Sequence, residues 1–61
     1  MTDSERARNL AALFAHCGDR WREAVPVDLT YTINGQGFVK VWGTSGLLLS
    51  RTADGPWEVA Q

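Results

Sequence analysis

The stretch VDLTYTINGQGFVKVWGTSGLLLSR, residues 27–51, holds two turn signals between three runs of strand-forming residues. The turns are Asn34-Gly35-Gln36-Gly37 and Gly43-Thr44-Ser45-Gly46. They separate segments 27–33, 38–42 and 47–51, each rich in β-branched, aromatic or leucine side chains. Two hairpins sharing a middle strand are expected.

Side chains alternate across a strand, so the turn lengths decide which residues share a face. With Ile33 opposite Phe38, Tyr31 faces Lys40 and Leu29 faces Trp42; a tighter turn on Asn34-Gly35 keeps the same parity. Around the second turn Trp42 faces Leu47, Lys40 faces Leu49 and Phe38 faces Arg51. The expected core face is therefore Leu29, Tyr31, Ile33, Phe38, Trp42, Leu47 and Leu49. Asp28, Thr30, Thr32, Val39, Val41, Leu48, Ser50 and Thr52 form the outer face, polar apart from a small apolar patch. A fourth strand over 57–61 follows a three-residue loop, Ala53-Asp54-Gly55, with Gly55 expected in the left-handed region. That loop length sets Trp57 opposite Arg51 and Val59 opposite Leu49, burying both.

Upstream, Thr2-Asp3-Ser4-Glu5 reads as a capping box that opens a helix. Ala7, Leu10, Phe14, Cys17, Trp21 and Ala24 then recur at intervals of three and four, a narrow apolar stripe. Gly18 interrupts the pattern without shifting its phase, which predicts a helix over about 3–24, with a bend at Gly18 allowed. Pro26 ends it by pushing Val25 out of helical geometry. A helix of that length, about 30 Å, overhangs a seven-residue strand of about 23 Å and leaves Trp21 near a projecting end. The fold class expected is α+β: one N-terminal helix on a four-stranded antiparallel meander, as a single domain over 1–61.

Sixty-one residues bury little surface; a chain of this size hides only about 60% of its unfolded area. Staples are scarce. Cys17 is the single cysteine, so an intrachain disulfide is excluded. His16 and Cys17 are too few soft ligands for a structural zinc site, and no cofactor motif is present. Self-association as a homodimer is the remaining expectation, through Trp21, through the patch of Val39, Val41 and Leu48, or through an edge strand paired with its symmetry mate. The net charge of −1 is evenly spread, with no basic block for nucleic acid or anionic membrane. No apolar run spans a bilayer, and the polar N-terminus is unlike a secretory signal. Cytoplasmic location is the default expectation.

Constellations that resemble chemistry have simpler explanations. His16 and Cys17 are neighbours on a helix and diverge by about 100°, so they do not form a dyad. Asp19, Glu23 and Asp28 carry no spacing that shapes a cleft. Gly35-x-Gly37 and Gly43-x-x-Gly46 lie between strands, with no helix to receive a phosphate. Phe38-x-Lys40-x-Trp42 alternates aromatics with a cation, as single-strand-binding surfaces do, although the register above turns these residues into the core.

The sequence thus points away from an enzyme. It suggests a small protein-binding module, an inhibitor, adaptor or regulator, of the sort that phages and mobile elements encode against host or defence complexes. Its partner surface is expected at Val39, Val41, Leu48 and Trp21. The alternative is single-stranded nucleic-acid binding through Phe38, Lys40 and Trp42.

Overall fold

The computed structural model describes residues 2–60. Helix α1 (Asp3–Cys17) is followed by a 3₁₀ segment (Gly18–Ala24) and by strands β1 (Thr30–Ile33), β2 (Val39–Gly43), β3 (Gly46–Arg51) and β4 (Glu58–Val59). The strands form one antiparallel sheet in the order β1-β2-β3-β4. The expected α+β architecture, one N-terminal helical arm on a four-stranded meander, is the one observed.

Thr2 caps α1, its hydroxyl accepting from the Glu5 N–H at 3.1 Å, and Asp3 and Glu5 complement the helix dipole. Ala7, Leu10 and Phe14 are buried along the stripe the sequence predicts. The helical arm reaches Ala24 but is not one rod. Gly18 adopts φ +61°, and its N–H donates to the Phe14 carbonyl as a helix terminator. The chain then changes direction, and Trp21 folds back onto the core instead of projecting. α1 alone, 15 residues or about 22 Å long, is close in length to six-residue β3, which spans about 20 Å.

The first hairpin corrects the expected register. Asn34 N–H donates to the Phe38 carbonyl and Gly37 N–H to the Asn34 carbonyl, both at 3.0 Å. Gly37 sits at φ +85°. Together these make a three-residue loop, a type I turn closed by a left-handed glycine. The Asn34 side chain supports it, Oδ1 accepting from the N–H groups of Gln36 and Phe38 at 2.8 and 3.0 Å. Ile33 therefore lies opposite Val39, Tyr31 opposite Val41 and Thr32 opposite Lys40. An odd loop in place of an even one turns the whole of β2 over.

The second hairpin has the expected Trp42–Leu47 pair, but a bulge follows at Val41/Trp42, and Val41 rather than Lys40 lies opposite Leu49. The extra residue is Leu48, which swings to the core side. Leu49 pairs with Val59 and Ser50 with Glu58, as the third loop length requires. Gly55 is not left-handed; among the described residues only Gly18, Gly37 and Gly46 have positive φ. β1 is also shorter than expected, because Leu29 N–H donates to the Pro26 carbonyl and closes a turn that leaves Val27 in solvent.

The core is Ala7, Leu10, Phe14, Trp21, Leu29, Val39, Val41, Leu48 and Leu49, flanked by Trp57 and Val59. Phe14, Trp21 and Trp57 meet at ring-centroid distances of 5.2–5.8 Å, and Trp21 stands edge-on to Tyr31 at 5.0 Å, geometries that favour aromatic attraction beyond area burial. Arg51, over the Trp57 ring at 5.3 Å, also donates to the carbonyls of Thr52 and Ala53 and so braces the last loop.

Arg6 and Asp28 join α1 to the start of the sheet through two 2.8 Å contacts. Hydrogen bonding from Arg6 holds the Asp28 carboxyl below its ordinary value. A depressed folded pKa gives stability that is present above the unfolded carboxylate value and lost as pH falls through the folded one. The melting temperature of the wild type should therefore exceed that of Asp28→Asn at neutral pH. That difference should begin to shrink as pH falls below about 4 and close only below the folded value of Asp28; a gap unchanged throughout acid would show that the pair does not act through charge.

Candidate functional site

The inversion of β2 decides which surface faces outward. Val39, Val41 and Leu48, expected as an outer patch, are 4%, 0% and 5% exposed. Trp21 is 5% exposed. None of the four offers a free surface in the protomer, and the partner surface expected there is withdrawn. The physical reason is parity for the two valines, the bulge for Leu48 and the Gly18 turn for Trp21.

The same inversion brings out Phe38, Lys40 and Trp42. They lie on the face of the sheet opposite α1, in register with Thr32 and Thr30 of β1 and with Ser50 and Leu47 of β3. Phe38 and Leu47 are 42% and 39% exposed, Lys40 is exposed and Trp42 is half-buried. Thr32, Asn34, Phe38, Lys40 and Trp42 line one shallow depression. A second runs from Phe38 and Lys40 across Ser50 and Thr52 to Glu58. Lys40 lies midway between the two aromatics along the strand, about 7 Å from each by strand rise. Among the described residues no carboxylate pairs with it. The open face of an antiparallel sheet is usually polar; here three large apolar side chains flank a cation.

Leu47 belongs to this surface, whereas the register expected from the sequence turns it into the core. The leucine run 47–49 alternates ambiguously, and only the bulge separates exposed Leu47 from buried Leu48 and Leu49.

The remaining candidates stay apart. Cys17 packs against the core while His16 is exposed; they share only a surface depression with Arg20, Glu23 and Ala24. Arg20 and Glu23 pair with each other on the surface. Among the described residues no three His, Cys, Asp or Glu side chains cluster as a metal site, and no helix is long and apolar enough to cross a membrane. No family model matches the chain, and comparison with curated proteins and with solved structures returns no match.

Proposed function

We propose that this chain is a non-enzymatic protein-binding module that engages its partner through the outer sheet face. The observation that supports this reading is exposed Phe38 and Leu47 beside half-buried Trp42, set around Lys40 on one sheet face. Interfaces concentrate their energy in a few aromatic anchors within a polar rim, and Thr30, Thr32, Ser50 and Glu58 supply such a rim. The surface is broad and shallow, as protein contacts are, whereas small-molecule sites are enclosed. Its role is that of a small inhibitor, adaptor or regulator that covers or bridges a protein surface, in keeping with a mobile-element inhibitor of a host or defence complex.

The test compares wild type with Phe38→Ser/Trp42→Ser as bait in host lysate. A partner recovered by wild type, and at least tenfold depleted with a variant that retains a wild-type circular dichroism spectrum, is the expected result. Equal recovery by both baits would remove the outer face from the interaction.

Single-stranded nucleic acid is the second reading, favoured by the outward placement of an aromatic–lysine–aromatic strand. Net charge argues against it, since phosphate binding rests on several cations and Lys40 is the one cation of this column. Tryptophan fluorescence titrated with a single-stranded oligonucleotide at low salt decides; unchanged emission eliminates nucleic acid.

A further inference from the structure

The two edges of the sheet differ. β4 has two residues, follows Pro56 and carries Glu58, three of the devices by which proteins blunt an edge. α1 also packs over the β3–β4 side, where it would obstruct an added strand. β1 has none of these guards. It is Thr-Tyr-Thr-Ile, all strand-favouring residues, and no charged residue occurs from Leu29 to Val39.

The hydrogen-bond phase of β1 identifies its free groups. Asn34 N–H donates to the carbonyl of Phe38, the residue before β2, so in an antiparallel ladder Thr32 and Thr30 also bond inward, opposite Lys40 and Trp42. The N–H and C=O groups of Tyr31 and Ile33 therefore point away from the sheet. These two residues remain 39% and 38% exposed, with their side chains on the helix side of the sheet.

We propose that β1 pairs antiparallel with β1 of a second copy of this chain about a two-fold axis at Thr32. In this register Tyr31 lies opposite the partner copy's Ile33, and Ile33 opposite its Tyr31. Both pairs fall on outward-pointing groups, and Thr32 meets its own counterpart at the axis. The occupant is a second copy because the register is self-complementary, apolar side chain opposite apolar and threonine opposite threonine, and because an uncharged edge sets no like charges against each other. Pairing covers the exposed flanks of Tyr31 and Ile33 and makes one eight-stranded sheet. It also carries the two Phe38–Lys40–Trp42 columns onto one continuous face, about 14 Å apart across three strand spacings. The dimer stands on the edge alone and holds whether or not that face binds a protein.

Sedimentation equilibrium across a micromolar to submillimolar range tests it. The wild-type mass should rise from 6.7 kDa toward twice that value. Thr32→Glu faces Lys40 within its own sheet, a favourable cross-strand pair, but opposes its own copy across the axis. It should raise the dimer dissociation constant by about tenfold or more. A wild-type mass that stays at one protomer, or a folded Thr32→Glu dimer as tight as wild type, overturns the proposal. Should that variant fail to fold, amide exchange in wild type decides. The Tyr31 and Ile33 amides should slow as concentration rises, and exchange independent of concentration at both refutes the pairing.

Discussion

Phe14→Ala is expected to leave the protein largely unfolded at room temperature. Phe14 is fully buried at 0% exposure, and its ring touches both Trp21 and Trp57. It is the point where α1, the 3₁₀ segment and the approach to β4 meet. Truncating a buried phenylalanine costs about 3–5 kcal/mol, from lost transfer energy and the cavity left behind. A core in a domain this small supplies about 3–5 kcal/mol in total, so the mutation removes most or all of it. The tryptophans do not substitute, because their rings are already committed to one another and cannot collapse into the gap without losing those contacts. Far-ultraviolet circular dichroism and a urea titration measure the effect. A cooperative transition close to that of wild type would show that α1 does not pack on the sheet through Phe14.

Val41→Asp is the second large effect, and it is most informative beside Phe38→Asp. Val41 is fully buried, opposite Leu49 and Tyr31. A carboxylate there meets an apolar layer in which, among the described residues, no charged side chain is buried. Uncompensated buried charge costs at least several kcal/mol unless the group protonates, and protonation itself draws on the same stability. Val41→Asp should therefore abolish cooperative folding at neutral pH. Phe38 stands on the other face, partly in water and two residues from Lys40, so Phe38→Asp should keep the native circular dichroism spectrum and lose about 1 kcal/mol or less. The reverse outcome, a folded Val41→Asp and an unfolded Phe38→Asp, would restore the register in which aromatics fill the core.

That register is where reading the chain and seeing it folded part company. Asn34-Gly35-Gln36-Gly37 announces a hairpin, and β1 and β2 form one there. Whether its loop has two, three or four residues depends on small differences among turn geometries. The choice is made by Gly37 entering the left-handed region and by Asn34 Oδ1 gathering two backbone donors. Leu47-Leu48-Leu49 poses the same problem in another form, since three identical side chains carry no phase. By contrast, the Ala53-Asp54-Gly55 loop could be chosen correctly because only one length buries Trp57, although Gly55 reaches it without a positive φ.

Local chemistry in the sequence determined the helix start at Thr2, the buried stripe of Ala7, Leu10 and Phe14, the order of strands and the pairing of Val59 with Leu49. Each rests on interactions a few residues apart or on a single periodicity. The tertiary structure decided the turn of the chain at Gly18, the burial of Trp21, Val39, Val41 and Leu48, and the outward placement of Phe38, Lys40 and Trp42. The two valines and the outward column follow the odd length of the first loop, Leu48 follows the bulge and Trp21 the turn at Gly18. One residue more or less in a turn leaves local propensities almost unchanged while it exchanges core for surface along an entire strand.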